Sequence, residues 1–340
     1  MKSLLFLVFA LGCNLILGQK VIFLHHSTGG GVYNEGSVAQ WFDTYNSQNS
    51  TNYEITERAY PDSPYPWENY PYDYWNLWIN GACNNDNSGT ECINSIVTKY
   101  DVIIFKHCFP GAGIGEDEAE NSVSSSYKSM GNYKLQYRAL RTLMDSFPNN
   151  KFIVWTLAPL HRNATDSASA ARAKQFVDWV KYQWLKEDSK SHPNIFVFDF
   201  WGYVAETNAN PSQGKVNCLK YDYEGSHDGD DSHPNTQANQ TVGPIFGQFI
   251  VDCIKQTNTR IINKTLDNIT VFYNNGCLAI QGLNEIVPQS DLCIYSIDGH
   301  LLYKKRIQSS IALPLSEGMY LVSIHNKTFG TQTAKFCVIK

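Results

Sequence analysis

Four short apolar runs, alternating with stretches of helical periodicity, constrain this chain more than any other feature. They are Val21-Ile22-Phe23-Leu24, Val102-Ile103-Ile104-Phe105, Phe152-Ile153-Val154-Trp155-Thr156-Leu157 and Ile195-Phe196-Val197-Phe198. None alternates with polar residues, so each reads as a strand buried on both faces. Three groups recur at i, i+3, i+4, i+7: Val38, Trp41, Phe42 and Tyr45; Leu140, Leu143, Met144 and Phe147; Ala173, Phe176, Val177, Val180 and Trp184. A last helix is predicted around Ile245, Phe249 and Ile254. This alternation implies right-handed crossovers and a parallel sheet covered on both sides.

The pattern runs from Lys20 to Thr257 and then changes. Residues 258–267 are polar and charged, a predicted linker. Short alternating runs follow at Ile269–Tyr273, Cys277–Gln281, Asp291–Ile297, Leu301–Arg306, Ile311–Leu315, Met319–His325 and Thr333–Ile339, which predict a β-sandwich over 268–340. With 340 residues, 43% hydrophobic and 17% charged, the chain can build both domains. A net charge of -5 without a long basic run argues against nucleic acid and anionic membranes, and favours a neutral substrate.

At the other end, Lys2 precedes an apolar stretch from Leu4 to Leu17 that is interrupted by Gly12, Cys13 and Asn14, too short to span a bilayer. Residues 1–19 read as a cleaved export signal, cut near Gly18 or Gln19, with Ala10-Leu11-Gly12-Cys13 as an alternative lipobox. No other segment is a membrane-span candidate, and the expected location is secreted or attached to the cell surface. Export permits disulfides. Cys83 and Cys92 flank a polar loop and predict a local bridge, whereas Cys108 and Cys293 lie in apolar strands and read as core thiols.

The first run continues His25-His26-Ser27-Thr28-Gly29-Gly30-Gly31, placing Ser27 at a strand's C-terminal edge in a predicted glycine-rich turn before a helix. A hydroxyl there faces the ligand crevice, beside a helix N-terminus that offers N–H groups to negative charge. Serine attacks only when a base removes its proton, and a carboxylate must orient that base. The best context for such a base is His233 in Gly229-Asp230-Asp231-Ser232-His233-Pro234-Asn235. Asp230, three residues earlier, is the predicted orienting acid, with Asp231 in reserve.

The serine after the first strand and the late Asp-x-x-His resemble the SGNH (GDSL-like) hydrolase family over Lys20 to Thr257. The resemblance implies a three-layer α/β/α fold with Ser27 as nucleophile, His233 as general base and Asp230 as its partner. It departs where the family has Gly-Asp-Ser and Gly-x-Asn-Asp; this chain has His25-His26-Ser27 and Lys106-His107-Cys108-Phe109, so the asparagine oxyanion donor is missing. Only the Ser27 N–H carries over directly. Thr28, Gly29, Lys106, His107 and the backbone at Gly111 to Gly113 are the candidate oxyanion or substrate-binding groups. The text Leu292-Cys293-Ile294-Tyr295-Ser296-Ile297-Asp298-Gly299, followed by Leu315-Ser316-Glu317-Gly318-Met319-Tyr320, resembles the type IX secretion C-terminal sorting domain of Bacteroidetes. That implies the type IX machinery as a partner.

His25, His26, His227, Asp228, Asp230 and Asp231 invite a metal reading. Adjacent strand histidines point to opposite faces, however, and the acidic run lacks the twelve-residue calcium pattern, so no metal or cofactor is expected. Tyr53 to Trp78 holds nine tyrosines and tryptophans among prolines, a predicted loop-rich insertion able to stack sugar rings or to pack on itself. These features and the resemblance together imply a secreted serine esterase that removes small acyl groups, acetyl above all, from a carbohydrate. The alternative is a glycan-binding surface protein on a catalytically weak scaffold.

Overall fold

A computed structural model describes residues 18–85, 89–256, 270–274, 277–281, 290–306, 310–326 and 330–338. The export segment through Leu17 and the linker at 258–267 lie outside these residues. The chain divides into two compact units after Thr257.

The first unit is an α/β fold on a five-stranded parallel sheet. Its strands are β1 (Lys20–His25), β2 (Glu54–Ala59), β3 (Val102–Phe105), β4 (Lys151–Trp155) and β5 (Ile195–Phe198), in the order β2-β1-β3-β4-β5. The helices are α1 (Ser27–Asn34), α2 (Val38–Asn49), α3 (Pro71–Trp78), α4 (Ile93–Lys99), α5 (Met130–Asp145), α6 (Ser167–Tyr182), α7 (Phe200–Val204) and α8 (Thr236–Lys255). Because side chains alternate along a strand, the sheet feeds two cores. Val21, Phe23, Ile104 and Trp155 pack with Val32, Phe42, Val242 and Phe246 from α1, α2 and α8. On the other face, Ile22, Leu24, Phe105 and Val154 pack with Tyr74, Ile96, Tyr137 and Phe176 from α3, α4, α5 and α6. Three layers result.

Two sequence expectations change here. The glycines after Ser27 are not a turn but the body of α1. A Cβ on Gly29 would lie 2.5 Å from His25 Cβ and 3.0 Å from Lys106 Cδ, so glycine lets the helix start directly on the strand ends. The aromatic segment is not mainly loop, since it contains edge strand β2 and helix α3. Most of its rings pack on the molecule itself, with Tyr60, Tyr70, Tyr74, Trp75 and Trp78 buried.

A second glycine contact ties the two ends of this unit together. Ideal Cβ atoms on Gly36 and Gly243 would fall 2.8 Å and 2.6 Å from the other residue's Cα, so the chain after α1 touches the middle of α8 backbone to backbone. This fixes the helix that follows His233 against the helix that begins at Ser27.

The second unit is antiparallel. Strands β6 (Thr270–Asn274), β7 (Cys277–Gln281) and β10 (Ser310–Ala312) form one sheet; β8 (Asp291–Ser296), β9 (Leu301–Arg306), β11 (Gly318–Asn326) and β12 (Gly330–Val338) form another. Leu278, Leu292, Ile294, Ile311, Val322 and Ile324 lie in its core. Gly299 takes φ +90° in the turn joining β8 to β9, a conformation that favours glycine.

Candidate active site

In a sheet of order 2-1-3-4-5, adjacent connections leave β1 and β3 in opposite directions, opening a crevice beyond their C-terminal ends. Ser27 stands there, two residues past β1, and the pairing of Leu24 with Phe105 brings Cys108 opposite it. His26 is the N-cap of α1, and Ser27 is the first residue of the helix. The Ser27 hydroxyl is therefore not spent on capping. Its Oγ lies 2.7 Å from His233 Nε2 and 3.7 Å from Cys108 Sγ.

His233 reaches this point on a braced loop. Asn235 caps α8 by accepting from Ala238 N–H at 3.1 Å, while its own amide donates to the Asp222 and Glu224 carbonyls. Ser232 Oγ accepts from His161 N–H at 2.8 Å. Phe109 sets its ring edge-on to the imidazole, with centroids 4.8 Å apart.

The carboxylate that meets the His233 ring is Asp231, in place of the expected Asp230. Asp231 Oδ1 lies 2.5 Å from His233 Nδ1 and accepts the His233 backbone N–H at 3.0 Å. A carboxylate bonding the N–H two residues on is an Asx turn, and that turn selects the nearer aspartate. Burial raises the Asp231 carboxyl pKa, but the His233 N–H, its imidazole and the charges of His233 and His161 outweigh this and hold it below the ordinary carboxylate range. The exposed Asp230 instead offers its carbonyl to Ser232 Oγ at 3.5 Å.

Among the candidate donors, Thr28 lines a cavity of about 220 Å³ with Ser27, Gly31, Glu35, His233, Pro234 and Asn239. The other four are not arranged as expected. Gly29 N–H is used within the helix, on His26 O at 2.8 Å. Lys106 and His107 follow each other on an extended segment and face opposite sides. Lys106 Nζ meets Cys108 Sγ at 3.8 Å, so sulfur stands between it and Ser27. His107 is buried among Tyr74, Phe105 and Tyr137, and burial, then the charge of Lys106, lowers its pKa to about 3. Gly111 N–H turns back to Cys108 O at 2.9 Å and Gly113 N–H to Pro110 O at 3.3 Å. The Ser27 N–H remains, at the α1 N-terminus, where a helix's first N–H groups have no intrahelical acceptor.

The two strand-end histidines diverge. His25 Nε2 lies 2.7 Å from Glu57 Oε2, whereas His26 stacks on Trp67 with centroids 3.5 Å apart. Glu35, Phe109 and Asn239 escaped the sequence reading. Asn239 Nδ2 donates to Glu35 Oε2 at 2.8 Å, and no spacing rule joins residues so far apart in sequence.

Behind the His233 loop, the Glu224 side chain is fully buried against Arg162, His161 and His227. Arg162→Met would leave that carboxylate without its guanidinium, and breaking a buried pair costs about 3–5 kcal/mol. We expect a lower urea midpoint and slower modification of Ser27. An unchanged midpoint would show that the two histidines alone compensate Glu224.

No family model and no curated protein matches the chain. One similar solved structure is a carbohydrate esterase whose active site displays divergent catalytic and non-catalytic binding functions, with a TM-score of 0.34 and 11% identity, over 69% of this chain. This chain spans 65% of that protein's length. Another is a gut microbial diltiazem-metabolizing enzyme, with a TM-score of 0.36 and 10% identity, over 93% of this chain and 70% of its own.

Proposed function

We propose that the protein is a serine hydrolase that cleaves small acyl esters. The observation that carries this is the 2.7 Å approach of His233 Nε2 to Ser27 Oγ, with Asp231 on the other ring nitrogen. A proton on Nδ1 held by Asp231 leaves Nε2 as a base facing the serine hydroxyl. Ser27 attacks the ester carbonyl while His233 takes its proton, and the Ser27 N–H faces the developing oxyanion. His233 then protonates the leaving alcohol, and water, activated by the same imidazole, releases the acid.

The substrate we propose is an acetylated carbohydrate. Glu35, Asn239 and Thr28 give the crevice hydrogen-bonding groups suited to an alcohol rich in hydroxyls, and Trp67 stacks on His26, the residue before Ser27. The N-terminal apolar segment and the Cys83–Cys92 disulfide support an exported protein. Handling by the type IX secretion machinery through residues 268–340 belongs to the same proposal. Acetyl release from a peracetylated sugar and from p-nitrophenyl acetate tests it, with p-nitrophenyl palmitate as the contrast. Acetate should win by about tenfold or more in kcat/KM, since a small polar site discriminates against added methylenes. No acetate release from either acetyl ester would sink the reading; preference for palmitate would replace it with a lipid esterase.

A further inference from the structure

Lys106 is 0% exposed, and among the described residues no carboxylate pairs with its ammonium. Burial lowers the Lys106 pKa, and it stays charged only where the group facing it carries negative charge. That group is the Cys108 sulfur, 3.8 Å from Lys106 Nζ and 3.7 Å from Ser27 Oγ. The backbone N–H groups of Thr28 and Phe109 also point at it. An ammonium and two amides converge as donors on one sulfur at the edge of the Ser27 crevice, beside a hydroxyl whose proton faces His233.

We infer that Cys108 is a thiolate site for modification by hydroperoxides, and that its oxidation disables Ser27. The thiolate attacks one peroxide oxygen; an S–O bond forms and the O–O bond breaks. Sulfur is oxidised by two electrons to the sulfenic acid, and the leaving hydroxide, or alkoxide from an organic hydroperoxide, takes a proton from solvent to become water or alcohol. The added oxygen lies against the Ser27 hydroxyl, where it competes with His233 Nε2 and fills space the ester carbonyl needs. Thiol reduction restores the site. Burial raises the Cys108 thiol, but the Lys106 charge and the donors around the sulfur outweigh this and bring it below the ordinary thiol range. Burial instead pushes the Cys218 thiol up to about 11 and the Cys253 thiol up to about 12. These two thiols serve as internal controls. Cys108 is 6% exposed, so the probe must be small, and hydrogen peroxide is used.

The full chain is treated with hydrogen peroxide, and the gain of oxygen at each cysteine is mapped by peptide mass spectrometry. In parallel, Ser27 is titrated with a fluorophosphonate. Cys108 should gain oxygen at least about tenfold faster than Cys218 and Cys253, because each unit of lowered pKa raises the thiolate fraction tenfold. Phosphonate uptake should fall in step and return with dithiothreitol, while Cys108→Ala keeps its own untreated labelling rate in peroxide. Equal oxidation of the three thiols would overturn the site. Oxidised Cys108 beside an unchanged Ser27 labelling rate, or equal peroxide sensitivity in Cys108→Ala, would overturn its effect on Ser27. That effect rests on the hydrolase reading: a Ser27 that takes no phosphonate even before oxidation refutes both, whereas the peptide map judges the thiol by itself.

Discussion

Ser27→Ala is expected to lower kcat for acetyl-ester hydrolysis by about 10⁶ and to abolish phosphonate labelling. The size follows from what the hydroxyl does: it supplies the attacking oxygen, and His233 Nε2 has no other proton to take at 2.7 Å. Stability should change by no more than about 0.5 kcal/mol, as for other exposed substitutions. Ser27 is exposed, and the helix is capped at His26 with no side-chain bond that alanine would remove. The pair of measurements separates catalysis from capping: a helix-capping serine would lose stability and keep activity. Activity within tenfold of wild type would move the nucleophile elsewhere, with Cys108 Sγ, 3.7 Å away, the first group to test by substitution.

The buried strands of the first unit are legible in the sequence because a parallel strand covered on both faces must be apolar at every position. That holds for β3 and β5, and for β1 and β4 apart from Lys20, His25 and Lys151 at their ends. It fails for β2, Glu54-Ile55-Thr56-Glu57-Arg58-Ala59, an edge strand with no buried position, where charge is tolerated. Helix α3 hides for another reason. Pro71 stands at its N-terminus, where proline fits a helix, but among neighbouring prolines it reads as loop. In α8 the buried stripe is Val242, Phe246 and Ile250, while Ile245 and Phe249 are only partly covered, because apolar residues occupy both phases.

For the site, strand position and loop context suffice to bring Ser27 and His233 together as candidates. Sequence cannot orient consecutive residues after a strand, so Lys106 and His107 read alike although one meets Cys108 and the other enters the aromatic core. Cys108 itself reads as a core thiol because the apolar run Val102 to Phe105 precedes it closely and Phe109-Pro110 follow it. Its charged partner is two residues away, but that Lys106 turns inward is a tertiary fact.

The choice between the two aspartates gives the sharpest test of the site. Asp231→Asn should lower kcat by about 10⁴, as expected when an amide favours the wrong imidazole tautomer, whereas Asp230→Asn should stay within a few-fold of wild type. Asp231 accepts from both the His233 N–H and its ring, so an amide there can still take the backbone bond while turning its NH₂ toward Nδ1. Nδ1 must then accept, Nε2 carries the proton, and the base facing Ser27 is gone. The Asp231 side chain is 68% exposed, so its Coulomb attraction is screened and its value lies in selecting the tautomer. Asp231→Ala, which lets water accept from Nδ1–H, should therefore be less damaging than the asparagine. The reverse order would make the carboxylate's charge the working element, and loss of activity in Asp230→Asn alone would return the role to the residue three before the histidine.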